Sequence, residues 1–376
     1  MVDSENSTGH EPDPQVAAAI DALLGTLGVN GNRDLIREIF TRAGQLAQGG
    51  LDRGELKIVA QTLKDFRRSF AAFAPHRERA KVSIFGSARS PAGSPIYELA
   101  RKLSAALVAH GYMVITGAGP GIMQACNEGA TAAHSFGVSI DLPFEAAANP
   151  VIDGDPKHVH FKYFFTRKLS FVKESDAIVL FPGGVGTMDE GFESLTLLQT
   201  GKCDPLPVIL MDLPGSNYWP SWEKYLRENL LRKGLISAHD RNLFRTVTSI
   251  ERAIQEIEQF YACYHSIRYV GDYCILRLKQ PPSAGLLAVL NDRYRDLLAS
   301  GDFEAMEAAH PAERKEPESI KRLPRIGFRF IQRSFGRLRR LIDDINLITC
   351  EEGLAAEVRP DRPQEGHLAN YTQVGD

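Results

Sequence analysis

The chain has 376 residues, 43% hydrophobic, 24% charged and 9% aromatic, which suffices for one large or two moderate cores and excludes disorder or a fibrous repeat over most of its length. Its 44 basic and 47 acidic residues leave a net charge of −3, so no bulk field draws the whole protein to nucleic acid or to an anionic membrane, and such a partner would need a local patch. No apolar run approaches the length of a membrane span, the opening MVDSENSTGHEPDPQ lacks the features of a secretory signal, and the five scattered cysteines show no CxxC spacing; these features lead us to expect a cytoplasmic protein with reduced thiols and neither metal nor disulfide frame.

Residues 1–15 are polar and contain Pro12 and Pro14, which predicts a disordered tail. Over 16–78 the apolar residues recur at three- and four-residue steps, as in Leu35, Ile36, Ile39, Phe40 and then Ile58, Leu63, Phe66, Phe70. That spacing predicts an N-terminal helical segment, broken at Gly49-Gly50 and Gly54 and linked onward by Ala74-Pro75 and the charged run 76–81. From Val82 the texture changes to short runs apolar on both faces, VSIFG, YMVIT, GVSID, AIVLF and PVILM, with helical stretches at about 97–110, 122–136, 169–174, 188–200, 222–233 and 250–260. Strands apolar on both faces fit a parallel sheet covered by helices, so residues 79–262 are expected to form a doubly wound, Rossmann-like α/β domain. Over 263–352 the pattern changes again. YHSIRYVG and YCILRLKQ flank Gly271-Asp272 as a hairpin, followed by a helix over about 285–299, a charged loop over 312–324, a strand RIGFRF and a helix over 341–348, which together make a small α+β appendix. Residues 353–376 read as a second disordered tail, and no internal repeat is visible.

Ligands of an open α/β sheet lie beyond the carboxyl ends of the strands, where loops meet helix N-termini. Three such loops are glycine-rich. Gly86-Ser87-Ala88-Arg89 could approach and bind an oxyanion, or be an ordinary turn. Thr116-Gly117-Ala118-Gly119-Pro120-Gly121-Ile122-Met123 resembles the dinucleotide fingerprint GxGxxG but carries Ile122 where the third glycine belongs; a turn around Gly119 that holds a mononucleotide phosphate fits better than a nicotinamide site, and no cofactor is expected. The third loop, Phe181-Pro182-Gly183-Gly184-Val185-Gly186-Thr187-Met188-Asp189-Glu190, has glycine at three of four consecutive positions, so its backbone N–H groups can curl into an anion-binding nest at a helix start, closed by Pro182 and Val185. It lacks the lysine of a nucleoside-triphosphatase loop. Thr187 and Glu190 also have the spacing of a capping box, which would make Glu190 a structural residue. Upstream, Arg167 and Lys168 begin a helix; they are either a solvated basic pair or the cationic partners of the nest.

The pairing of this RK with PGGxGTxxE, preceded by a GSAR loop and a GxGPGIM turn, resembles the LONELY GUY family of nucleoside 5′-monophosphate phosphoribohydrolases, which includes cytokinin-activating enzymes and is often mislabelled as lysine decarboxylases. The resemblance is strong from about Lys81 to Thr200 and fades beyond Trp222. It implies that Gly183, Gly184, Gly186 and Thr187 hold a 5′-phosphate and that Arg167 and Glu190 are the catalytic pair, with Gly86, Ser87, Gly119 and Lys168 as further substrate-binding residues. The GPGIM turn and LTLLQTGK resemble the longer-chain branch rather than the short plant-type enzymes, which carry another glycine near Gln124. The expected reaction is hydrolysis of a purine monophosphate, AMP or a cytokinin ribotide, to free base and ribose 5-phosphate; a nucleotide-binding carrier on the same fold is the alternative. The family and the surplus of amphipathic helical surface imply a homo-oligomer, at least a dimer.

One basic segment stands apart: Arg325, Arg329, Arg333, Arg337, Arg339 and Arg340. Helical spacing would put Arg333, Arg337 and Arg340 on one face, either solvated, in contact with another subunit, or facing RNA or an anionic effector.

Overall fold

Runs of Val and Ile become strands wherever helices can cover both of their faces. The computed structural model describes residues 13–141 and 148–353. Among these, seven parallel strands form one sheet: β1 (Lys81–Phe85), β2 (Met113–Thr116), β3 (Ser135–Ile140), β4 (His158–Phe161), β5 (Ala177–Leu180), β6 (Val208–Met211) and β7 (Arg245–Val247), in the order β4-β3-β2-β1-β5-β6-β7. Strands β1, β2, β5 and β6 are buried at every position. One face packs Met113, Ile115, Phe136, Ile178 and Leu180 against Phe171, Leu198 and Trp219; the other packs Val82, Ile84, Val114 and Val179 against Leu103, Leu107, Ile122 and Ile257. The chain order steps outward from β1 through β2 and β3 to β4, then returns to β5 on the other side of β1. The carboxyl ends of β1 and β5 therefore flank the crevice where this fold binds ligands.

The helices begin with α1 (Pro14–Thr26), α2 (Arg33–Gln48) and α3 (Arg53–Phe73), and continue between the strands as α4 (Pro95–Ala109), α5 (Ile122–Ala130), α6 (Phe164–Glu174), α7 (Val185–Gln199), α8 (Tyr218–Tyr225) and α9 (Ile250–Phe260). The described residues fall into two compact units that divide at Lys64/Asp65, inside α3. In the first, Ile20 and Leu24 of α1 are buried, while α2 buries none of its residues. The second holds the remainder of α3, the parallel sheet and an antiparallel sheet of order β10-β11-β9-β8, built from β8 (Tyr264–Val270), β9 (Tyr273–Leu278), β10 (Leu298–Met306) and β11 (Arg325–Phe330). Helices α10 (Ala284–Arg293), α11 (Glu318–Lys321) and α12 (Phe335–Glu351) complete it, and Leu286, Leu290, Leu338, Leu341 and Ile345 share a core with the sheet's Leu276, Ile326 and Phe328. The tails expected at 1–15 and 353–376 lie outside the described residues except at their inner ends, where α1 begins at Pro14 and Gly353 follows α12.

Several elements differ from the sequence reading. The helix expected over 122–136 stops at Ala130, because Thr131 turns the chain with φ +62° and Ser135-Phe136 join β3. Strands β4, β7 and β10 were not expected: each is an edge strand of its sheet, only partly covered, and so lacks the two-faced apolar run that marks β1 or β5. The final helix starts at Phe335, six residues before its expected start at Leu341.

Candidate active site

The crevice is closed at its base by backbone bonds between the three glycine loops. Phe181 N–H donates to the Phe85 carbonyl at 2.8 Å, Ser87 N–H to the Pro182 carbonyl at 3.1 Å and Ile122 N–H to the Ser87 carbonyl at 3.0 Å. Close packing explains some of the glycines: a Cβ on Gly86 would lie 2.7 Å from Ile122, one on Gly119 2.7 Å from Met123 Cε, and one on Gly183 would run into Thr187 Oγ1. Gly184 and Gly186 differ, since a Cβ on either would meet nothing within 4 Å. No packing demand calls for glycine there, and the space above both is open to a ligand. Val185 projects with 88% of its surface exposed, so it does not wall the nest as expected.

Helix α7 begins at Val185 with Gly184 as its N-cap and no side-chain cap. Thr187 lies inside the first turn, so the capping box expected between Thr187 and Glu190 does not form and Glu190 is not a capping residue. Glu190 instead meets Arg167, with Nη1 to Oε1 at 3.5 Å and both side chains largely buried (12% and 9% exposed). Arg167 is steered there by a 2.8 Å bond from Nε to the Val138 carbonyl and by the Phe171 ring, 5.1 Å from its guanidinium carbon. Gly117 leaves room for it, as a Cβ there would lie 2.7 Å from Arg167 Nη2. Burial pushes the Glu190 carboxyl up to about 7, against the opposing pull of Arg167 and Lys168. Such a group takes up and gives back a proton near neutral pH, as a general acid or base must.

Lys168 is differently placed. Its ammonium bonds Glu193 at 2.7 Å and Asp189 at 3.0 Å, tying α6 to α7. Burial lowers its pKa, but those two carboxylates outweigh it and the net direction is upward.

Residues without a sequence signature complete the surroundings. Ala118 holds φ +62°, a strained conformation for a residue with a side chain, worth about 1–3 kcal/mol. Its N–H bonds Thr116 Oγ1 at 3.0 Å, and its carbonyl accepts from the Asn149 backbone and amide at 2.8 and 3.0 Å. Asn127 Oδ1 accepts from both Thr116 Oγ1 and Asn149 Nδ2, at 2.8 and 2.9 Å. On the other side Tyr218 Oη donates to the Gly183 carbonyl at 2.6 Å and accepts from Gly183 N–H at 3.2 Å, pinning the first glycine of the nest. Lone asparagines and tyrosines carry no periodicity, and nothing in the sequence pattern marks them.

The basic segment 325–340 does not make a common face. Arg333 precedes α12, while Arg325 bonds Glu313, Arg329 bonds Asp272, Arg337 bonds Asp296, Arg339 bonds Glu256 and Asp343, and Arg340 bonds Asp344, all between 2.8 and 3.1 Å. Five of the six arginines are therefore ion-paired within the chain. Among the described residues, no group of three or more His, Cys, Asp and Glu could hold a metal ion, and no helix is long and apolar enough to cross a membrane.

Fold and site together define a doubly wound α/β protein with a glycine loop, uncrowded at Gly184 and Gly186, at the switch point beside a buried arginine–glutamate pair. The family described as "Possible lysine decarboxylase" matches residues 123–257. A cytokinin riboside 5′-monophosphate phosphoribohydrolase of Mycobacterium tuberculosis is 30% identical over 142 residues, 35% of this chain and 75% of that protein. One of Arabidopsis thaliana is 29% identical over 101 residues, 27% of this chain and 45% of the plant protein, so the match spans less than half the length of that relative. Among solved structures, a molybdenum cofactor carrier protein from Chlamydomonas reinhardtii is 20% identical with a TM-score of 0.34, covering 48% of this chain and 96% of that one. The chain belongs to the LONELY GUY family.

Proposed function

We propose that the protein hydrolyses the N-glycosidic bond of a purine nucleoside 5′-monophosphate, AMP or a cytokinin ribotide, giving free base and ribose 5-phosphate. The observation that carries the reading is the buried Arg167–Glu190 pair, 3.5 Å apart and next to a nest left open at Gly184 and Gly186. The phosphate sits on the N–H groups from Gly184 onward and the positive end of α7, since the Gly183 N–H is taken by Tyr218 Oη. Glu190 as carboxylate stabilises the oxocarbenium-like ribosyl centre and orients the attacking water. The water oxygen bonds C1′ as the bond from C1′ to the base nitrogen breaks; the electron pair leaves with the base, which takes up a proton, and the proton released by water passes through Glu190. Arg167 binds the phosphate or assists departure of the base, and keeps enough of Glu190 ionised for that role. The names of the two phosphoribohydrolase relatives support this reaction class.

The test is product separation after incubating the protein with a panel of purine and pyrimidine monophosphates. Release of base and ribose 5-phosphate from at least one purine monophosphate is expected, and none from any member of the panel overturns the reading. We also take the chain to act as a homo-oligomer, supported by the apolar Phe164, Phe165 and Leu169 left 40–51% exposed on α6; a monomer mass by light scattering at micromolar concentration contradicts this.

A further inference from the structure

Arg167 lies in the first turn of α6, and that helix has no cap of its own: Tyr163 precedes it and supplies no side-chain acceptor. A side-chain acceptor beside the start of α6 comes from α3, about a hundred residues earlier in the chain, and takes the N–H before the helix and a first-turn hydroxyl rather than a first-turn N–H. Asp65 Oδ2 accepts from Lys162 N–H at 3.2 Å and from the Thr166 hydroxyl at 2.9 Å. Asp65 is fully buried, at 0% exposure. A carboxylate so placed is costly unless donors and positive charge face it, and the amino end of a helix supplies both. The contact continues along one face of α3, since Ser69 Oγ donates to Ser170 Oγ at 3.1 Å and Phe73 stacks on Phe136 with centroids 4.2 Å apart. Positions 65, 69 and 73 are spaced by four, which puts them on one side of the helix. The last turns of α3 thus brace the helix that presents Arg167, and Asp65 grips that helix one residue away from it.

We infer that Asp65 is a positioning residue for the reaction: its carboxylate sets the first turn of α6 and through it the placement of Arg167 against Glu190. This rests on the roles given above to Arg167 and Glu190. Loosening the grip moves the guanidinium, and a displacement of about 1 Å in a positioned group costs up to about a hundredfold in rate. It also weakens the charge that holds the Glu190 carboxyl down, so Glu190 should titrate at higher pH.

Asp65→Asn is nearly isosteric and tests this. A fall in kcat of about tenfold or more is expected, with an upward move of the apparent pKa in the kcat/KM profile. Ser69→Ala, which removes a buried contact of the same helix pair without touching the first turn of α6, should leave that pKa in place. Wild-type kcat and pH profile in Asp65→Asn overturn the inference, as does an equal pKa shift in Ser69→Ala, which would make the effect general packing. If Asp65→Asn shows no cooperative melt, Thr166→Val removes the hydroxyl donor and should change kcat and pKa in the same directions by less; unchanged values there are equally fatal. Carboxyl NMR titration of Glu190, identified by its loss in Glu190→Gln, needs no turnover. A protein inactive on every monophosphate would sink the proposed reaction, while the Glu190 titration would still decide the role of Asp65.

Discussion

Replacing Glu190 by glutamine should abolish turnover and at the same time change how stability depends on pH. The Glu190 carboxyl is raised from an ordinary 4.5 to about 7, chiefly by burial. Below 4.5 it is protonated in both folded and unfolded chains, and its contribution is at its most favourable. As pH rises past 4.5 the unfolded chain ionises first and gains free energy, and the loss of folded stability continues until the folded carboxyl ionises near 7. At about 1.4 kcal/mol per pH unit, that interval corresponds to about 3 kcal/mol. The amide of Glu190→Gln cannot ionise, so the variant lacks this decline. The pull of Arg167 on the carboxylate is already contained in the value of about 7 and adds no separate pH dependence. Urea unfolding of both proteins at pH 5, 6, 7 and 8 measures the difference. The variant should gain on the wild type by about 2–3 kcal/mol between pH 5 and 8, while nucleotide binding stays within a few-fold and turnover is lost. A stability difference independent of pH would show that Glu190 is ionised throughout and refute the assignment of its environment.

Arg167→Ala should lower binding and turnover together and raise the apparent pKa in the kcat/KM profile, because the charge holding Glu190 down is gone; normal kinetics would remove the arginine from the site. Two charge-assisted bonds from the glycine loop, about 1.5–3 kcal/mol each, make adenosine poorer than AMP by roughly two to four orders of magnitude in kcat/KM; comparable adenine release from both would mean the loop holds no phosphate. Gly186→Ala places a methyl in open space on a helix, so it should stabilise the fold by about 0.5–1 kcal/mol in a urea titration while lowering kcat/KM for monophosphates, and undiminished kcat/KM would put the phosphate elsewhere. Glu313→Gln should destabilise by about 3–5 kcal/mol, since Glu313 is fully buried between Arg277 and Arg325, whose side chains are 5% and 2% exposed; a change under about 1 kcal/mol in urea would show that the network carries little net energy.

The central strands were legible because a strand buried on both faces needs an unbroken apolar run, and VSIFG, YMVIT and AIVLF each have one. The loop PGGVGTMDE was legible for a related reason: glycines clustered at a strand-to-helix turn have a local cause that composition reveals. The family pattern went further and linked Arg167 to Glu190, 23 residues apart, before any geometry was known. Where the signal depends on what lies across the sheet, the sequence was silent. The edge strands His158–Phe161 and Arg245–Val247 look polar because they are half covered, and Arg325, Arg329 and Arg337 look like part of a patch because the acids that pair with them, Glu313, Asp272 and Asp296, come from elsewhere in the chain. The near-neutral carboxyl of Glu190 belongs wholly to the tertiary structure, since no residue's own chemistry states how much water its neighbours exclude. So does the grip of Asp65 on Thr166, 101 residues away: a lone aspartate in an amphipathic helix looks like a solvated charge until the fold brings an uncapped helix to meet it.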